Sequence, residues 1–476
     1  MQDDEVSSFA KTFSRFAEEV HRVASQQSVA PIRDLLAAHL AADPAILPVV
    51  AESHAPYDHV NLQVAIEAFL DADGRPHELI GLTGQQRRWM SLADLISANE
   101  HSGVMIGSVD YANLPTGPDD TKACVAFGLY LIDDRGTKLA ALVRLGGEET
   151  GTPGVGVEIV CADRERARAM HDEIRRLMVE RNVFRRQMIS FGEPRMGRVA
   201  AGPIVFHRRP LVEQDAIVLP PGVLDRIERH VFGIAEQRER LRAGGQHIKR
   251  GLLLHGPPGT GKTLTARYVA GRATSHTVVL LTGGGLGMVR AACALARMLQ
   301  PSIVILEDVD LVAQHRMYSD YGNPLLFDVL NEMDGMDEDA DVAFLLTTNR
   351  ADLLEPALAA RPGRIDLAVE VPLPDDDARH RLFELYARGI DVHVDDVVSI
   401  VEATRGVTAS FMKELVRAAS LTAALRAADG RILVEDADVR DALEGLLDES
   451  NRLTRLLLGA AGQEAAGVAW LDTDGE

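Results

Sequence analysis

The sequence is short of cysteine, of long apolar runs and of positive charge, and each shortage removes a class of protein. Its three cysteines, Cys124, Cys161 and Cys293, are odd in number, scattered and without metal-type spacing. A disulfide framework is therefore not expected, and free structural thiols in a reducing compartment are. No uninterrupted apolar stretch reaches about 18 residues, so no membrane-spanning helix is expected. The opening Met1-Gln2-Asp3-Asp4-Glu5 is acidic where a secretory leader would be cationic. Against 71 Asp and Glu stand only 50 Lys and Arg, a net charge of −21. Such a chain lacks the electrostatic footprint for sliding on DNA or RNA, and anionic membrane surfaces are disfavoured by the same argument. A soluble, cytoplasmic protein is expected, with neither membrane nor nucleic acid as a partner.

What is present is enough for two or three domains in 476 residues. Helical periodicity over 9–23, 32–40 and 62–70 precedes strand patterns over 103–108, 124–132, 138–145 and 155–160. A hairpin-type turn, Asp133-Asp134-Arg135-Gly136, joins two of these strands, and a charged amphipathic helix is predicted over 164–180. Residues 1–208 therefore read as a small α+β domain without a catalytic signature. Its His77-Glu78 begins like a zinc-protease motif but has no second histidine four places on. Prolines and polar residues at 209–221 mark a linker. From 222 to 374 helix and buried strand alternate, which implies a parallel sheet with right-handed crossovers and a ligand at the strands' carboxyl ends. Residues 375–447 turn mainly helical, and 448–476 read as a partly disordered tail.

The densest chemistry lies in Gly256-Pro257-Pro258-Gly259-Thr260-Gly261-Lys262-Thr263, set between the apolar run 251–255 and a helix beginning near Leu264. Glycines without a Cβ let consecutive N–H groups turn inward around anionic oxygens. Lys262 is placed to reach β- and γ-phosphates, and the Thr263 hydroxyl to help hold Mg²⁺. A Gly/Pro surface turn is the alternative, and the strand–loop–helix context argues against it. A second buried strand, 301–306, discharges Glu307, Asp308 and Asp310 at its end. One carboxylate there would support the metal and its neighbour would orient or deprotonate water; solvated strand-end acids are the plainer alternative. The strand 342–346 runs into Thr347-Thr348-Asn349-Arg350, where Asn349 either meets the γ-phosphate or caps a turn. Arg361 and Arg364, beside a Pro-Gly turn, suit charge on a transferring phosphoryl group held by a neighbouring subunit, or else are ordinary surface charges.

Over residues 222–447 these elements resemble the AAA ATPases of the AAA+ superfamily. The resemblance includes Leu330-Asn331-Glu332-Met333-Asp334-Gly335, Thr348-Asn349-Arg350, Glu355-Pro356-Ala357-Leu358 and Arg361-Pro362-Gly363-Arg364-Ile365-Asp366. It implies a parallel-sheet α/β P-loop NTPase with a helical lid, preceded here by a separate α+β domain. It also implies a ring, usually a hexamer, that binds and hydrolyses ATP with Mg²⁺ and remodels a protein substrate. Under it, Glu307 supports Mg²⁺ together with Thr263, Asp308 is the general base, Asn349 is the sensor-1 residue, and Arg361 and Arg364 are arginine fingers. Gly406-Val407-Thr408-Ala409-Ser410 is similar to the family's "G-F-S-G-A" lid segment, which puts Ala409 near the adenine, with Gly233 and Ile234 on its other side. The single ATPase module is similar to the cell-division and sporulation type and to the Rieske-protein translocase.

Three departures stand out. The family's usual Asp-Glu is Glu307-Asp308, as in the Rieske-protein translocase. Where threading members carry an aromatic–aliphatic–glycine pore loop, this sequence has Thr282-Gly283-Gly284-Gly285-Leu286-Gly287-Met288-Val289, without an aromatic. One extra residue precedes Arg361, which leaves Arg364 in the better-preserved context. No His-Glu-x-x-His follows the lid, which sets the membrane-protease branch aside. Two functions remain open: an ATP-driven remodeller, or a nucleotide-gated scaffold that does little threading. A DNA helicase or loader is disfavoured by charge.

Overall fold

The structure, a computed structural model, describes residues 32–84, 89–97, 104–146, 154–192, 204–310, 324–352, 364–426 and 432–447. The helix expected over 9–23, the tail and Arg361 lie outside them. The chain divides into two units, residues 1–183 with 192–206 and residues 184–191 with 207–476.

The first unit is α+β. Strands β1 (Val49–His54), β2 (His77–Thr83), β3 (Met105–Gly107), β4 (Asp110–Pro115), β5 (Thr121–Asp134), β6 (Thr137–Leu145) and β7 (Val155–Cys161) form an antiparallel sheet. Its order is β1-β7-β6-β5-β2-β3, with β4 paired to β5. The β5–β6 hairpin turns on Arg135 (φ 55) and Gly136 (φ 87), both left-handed as a tight two-residue loop requires. Helices α1 (Ile32–Leu40), α2 (His59–Asp71), α3 (Leu92–Ser97) and α4 (Arg164–Glu180) cover it. Strand β5 is apolar almost throughout because it feeds two cores. Tyr130 and Ile132 pack with Leu62 and Ile66 of α2 and Met170 and Ile174 of α4. Leu129 and Leu131 pack with Leu36 of α1 and Leu92 and Leu95 of α3. His77 and Glu78, neighbours on β2, lie on a strand rather than on a metal-binding helix.

The second unit holds a parallel sheet. Strands β8 (Met188–Phe191), β9 (Arg250–His255), β10 (Thr277–Leu281), β11 (Ser302–Leu306), β12 (Val342–Thr348) and β13 (Leu367–Glu370) run in the order β13-β9-β12-β11-β10-β8. Every neighbouring pair is parallel. Alternate residues face opposite ways. Leu252, Leu254, Ile303, Ile305 and Leu345 pack in one core with Ala266 and Val269 of α5 (Lys262–Arg272). Leu253, Val304, Phe344 and Leu346 are also buried, so the strands are apolar on both sides, as covered parallel strands are. Helices α6 (Val289–Met298) and α7 (Pro324–Asp334) follow β10 and β11.

The strand β8 lies within the span read from sequence as N-terminal domain, yet it belongs to this unit, with Met188 opposite Val278. The stretch read as a linker is likewise anchored. The Arg209 guanidinium donates to the carbonyls of Ala270, Arg186 and His276 at 2.7–2.9 Å. At the amino end of the sheet the Arg250 guanidinium meets Asp341 Oδ1 at 2.9 Å, with both side chains almost fully buried. It also donates to the carbonyls of Val231 and Ile248, tying the strand starts to the helical turns before them.

The lid consists of α8 (Asp376–Tyr386), α9 (Val397–Ala403), α10 (Ala409–Arg426) and α11 (Asp436–Leu447) around Leu382, Phe411, Leu415 and Leu443. Asp375 caps α8 by accepting from Ala378 N at 2.8 Å. A small parallel ribbon, β14 (Asp391–His393) with β15 (Leu433–Glu435), interrupts the expected all-helical pattern.

Candidate nucleotide site

Beyond His255 the chain turns through Gly256 (φ 141), Gly259 (φ 77) and Gly261 (φ 109) before α5 starts. These are conformations that side chains with a Cβ rarely adopt. Two of the glycines are required by their neighbours as well. A Cβ at Gly256 would stand 2.3 Å from Val371 O, and one at Gly259 would stand 3.0 and 3.1 Å from Ser410 Oγ and Thr408 Oγ1. At Gly261 the space is open. The Thr260 hydroxyl donates to Pro257 O at 2.9 Å. Lys262 is buried, and its ammonium donates to Gly256 O at 2.8 Å and Pro257 O at 2.6 Å, across the loop. Burial pulls the Lys262 ammonium down to about 8, against the opposing pull of Asp308 and Asp310. Thr263 and Leu264 are half-buried at the start of α5, and Leu264 packs against the sheet core.

The ends of β11 and β12 bring the acidic residues and Asn349 together. Asp308 has a left-handed φ of 51, uncommon for a residue with a side chain. Its N–H donates to Thr347 Oγ1 at 3.0 Å, and Asn349 Nδ2 reaches Asp308 Oδ1 at 3.4 Å. Behind them Asp310, buried, accepts from the Thr348 hydroxyl at 2.9 Å and from Asn349 N at 3.0 Å. Burial raises the Glu307 carboxyl above its usual range; Arg267 opposes that and Asp308 reinforces it. Lys262, Asp308, Asp310 and Asn349 thus share one electrostatic neighbourhood at the carboxyl ends of β9, β11 and β12. Asp310 is the member of this cluster to which the sequence analysis assigned no role of its own. Its signal was the third carboxylate of Glu-Asp-Val-Asp, two places beyond Asp308.

The lid closes onto the loop at one point. Ser410 N donates to Gly259 O at 3.0 Å, and the Ser410 hydroxyl reaches the same oxygen at 3.3 Å. Ala409, at the start of α10, is therefore beside the glycine turn. Gly233 and Ile234 are not brought there, which corrects the sequence expectation. The helical turns that carry them are tied to the other end of β9, with His230 Nε2 on Gly251 O at 3.2 Å and Val231 O on Arg250. The segment 217–219 spans sheet and lid instead: Ile217 and Leu219 belong to the sheet core and Val218 packs with the lid core.

Arg364 also stands away from the loop of its own chain. A Cβ on Gly251 would meet Arg364 O at 2.0 Å, so Arg364 marks the start of β9, about 13 Å along the strand from His255. Its guanidinium pairs with Asp334. In the stretch between β10 and α6, Leu286 is buried and Met288 half-buried, on a short 3₁₀ turn (Gly283–Met288). Leu286 therefore packs inward.

Residues 252–373 match the family model described as "ATPase family associated with various cellular activities (AAA)". These residues thus form an AAA ATPase domain. Among its curated relatives, the ATP-dependent zinc metalloprotease FtsH 2 of Sphaerobacter thermophilus is 36% identical over 225 residues, 44% of this chain and 33% of that protein. The proteasome-activating nucleotidase of Methanopyrus kandleri is 33% identical over 220 residues, 42% of this chain and 50% of that protein. FtsH of Cutibacterium acnes is 34% identical over 248 residues, 49% of this chain and 34% of that protein. The chain thus spans a third to a half of the length of these relatives. Among the described residues, no group of three His, Cys, Asp or Glu could hold a metal ion, and no helix is long and apolar enough to cross a membrane.

Proposed function

We propose that this protein is a cytoplasmic, ring-forming, Mg²⁺-dependent ATPase that remodels a protein substrate selected by its first unit. The observation that carries it is the convergence of Lys262, Asp308, Asp310 and Asn349 beside a glycine turn on which the lid rests. The donors fit a Mg-nucleotide: left-handed glycines free their N–H groups, and a buried cation already bridges the loop's carbonyls. Gly256, Pro257, Pro258, Gly259, Thr260 and Gly261 form the cradle, Lys262 holds the β- and γ-phosphates, and Thr263 and Glu307 hold the magnesium. The bound ion supplies neutralisation of phosphate charge. Asp308 orients and deprotonates the attacking water, while Asn349 and Asp310 hold Asp308 in place. Ala409 and the 217–219 segment flank the base.

Arg364, whose own loop lies a strand length away, serves the nucleotide of an adjacent subunit, and Arg361 is assigned the same role from the sequence. A lid seated on Gly259 carries the consequence of phosphate loss to the rest of the subunit. Hydrolysis per subunit that rises steeply with protein concentration, together with ATP-dependent assembly into a hexamer by size-exclusion chromatography, is the expected result. Linear activity from a monomer would refute it.

A second reading, a nucleotide-gated scaffold that threads little, is favoured by the buried Leu286 and by the Glu307-Asp308 order. Asp308→Asn separates the two. It abolishes substrate remodelling by a motor and leaves ATP-driven assembly of a scaffold intact.

A further inference from the structure

In a chain with 21 excess negative charges, one face of α4 gathers positive charge. Arg164, Arg168, His171 and Arg175 fall at i, i+4, i+7 and i+11, which puts them on one helix face. With Val50 and Glu52 of β1 they line a cavity of about 290 Å³ within the first unit. Arg175 is committed to Glu52 at 3.1 Å and to Asp172. Among the described residues, no ion pair or hydrogen bond engages Arg164 or Arg168. His171 is 3% exposed; its Nε2 is bound to Val50 O at 3.2 Å, and its Nδ1, 3.4 Å from Glu52 Oε2, has no hydrogen-bond partner. The cavity therefore combines two uncommitted guanidinium groups, a third shared with carboxylates, and a buried imidazole nitrogen lacking a partner.

We propose that this cavity binds a dianionic phosphoryl group. With Arg175 offset by Glu52 and Asp172, the uncommitted Arg164 and Arg168 present two guanidinium forks, whose paired donors the three oxygens of a phosphoryl dianion can engage together and a single carboxylate cannot. An extended polyphosphate backbone such as RNA is opposed by the acidic whole-chain charge. The site is independent of the ATPase reading and lies in the unit proposed to select substrates. The group comes either as a free phosphate or on a phosphorylated side chain, and the two are separable.

Hydrogen exchange of the full chain, read separately at 49–54, 164–175 and 256–263, provides the test, with inorganic phosphate, O-phosphoserine and acetate as probes. Protection at 49–54 and 164–175 is expected with the first two and not with acetate. Half-protection by phosphoserine at lower concentration than phosphate identifies a phosphorylated side chain as the source, and equal concentrations identify the free anion. In Arg164→Gln/Arg168→Gln, both positions being exposed, half-protection at 164–175 should need about tenfold more probe or worse, with protection at 256–263 unaltered. Equal protection by acetate, no protection at 164–175, or an unaffected double variant would overturn the proposal.

Discussion

Replacing Asp310 should damage stability and turnover together while leaving nucleotide affinity at neutral pH nearly untouched. A single buried oxygen, Asp310 Oδ1, accepts from both the Thr348 hydroxyl and Asn349 N. Asp310→Ala removes that acceptor and strands two donors. At about 1.5–3 kcal/mol for each bond to a charged acceptor, the loss is about 4 kcal/mol. With a urea slope of about 3 kcal/mol per molar, the midpoint falls by about 1.3 M. Asp310→Asn keeps an oxygen in place and loses only the charge, so its midpoint falls by about half as much. Turnover should follow geometry: with Asn349 loosened from Asp308, Asp310→Ala drops kcat about 100-fold and Asp310→Asn far less. The charge has its own signature, since Asp310 helps to keep Lys262 protonated. In Asp310→Asn, the pH above which ATP binding weakens should move below that of the unmodified protein. Steady-state ATPase assays, urea unfolding and ATP titrations across pH report each quantity. If Asp310→Ala keeps full kcat and an unchanged midpoint, the reasoning is wrong.

Three further outcomes are expected. Because burial pulls Lys262 down to about 8, its charge is present below that pH and lost above it. The Kd for ATP should therefore be flat at lower pH and rise by up to tenfold per unit beyond about 8, whereas in Lys262→Arg it should stay flat; a flat profile in the unmodified protein would sink the assignment. Gly256→Ala should destabilise the second unit more than Gly259→Ala, because the backbone oxygen of Val371 cannot move aside and the hydroxyls facing Gly259 can; urea midpoints give the order. Arg250→Met should cost about 3 kcal/mol by leaving the buried Asp341 with only the half-exposed Arg238, 3.8 Å away, and Arg250→Met/Asp341→Leu should recover most of it; equal losses in both variants would contradict this.

The parallel sheet was legible because its strands are short apolar runs that end in chemistry-bearing residues, and the glycine turn because only that spacing frees so many N–H groups. The contact between Asp308 and Asn349 followed from the topology, which sets β12 between β9 and β11. Other features depend on pairings that no local pattern announces. Strand β8 carries no signal distinguishing it from the α+β strands before it, and its partner β10 lies nearly 90 residues on. Gly233 and Ile234 sit at the wrong end of β9 because the helical turns that hold them run toward Arg250, a direction that periodicity does not encode. Leu286 stands in a glycine-rich stretch with no periodicity to tell core from surface, and it lies in the core. The strands β1, β2 and β4 escaped notice because polar residues such as Glu52, His77 and Asn113 break their alternation.

Subunit mixing is the most direct test of a catalytic centre shared between neighbours. Lys262→Ala lacks the phosphate-holding cation, and Arg361→Ala/Arg364→Ala lacks the guanidinium offered across the interface; each alone should be almost inactive. Mixed in equal amounts, they create interfaces that pair an intact loop with an intact arginine, and ATP hydrolysis should reappear. If the mixture stays as inactive as its components while still assembling, the two halves of the site do not come from different subunits.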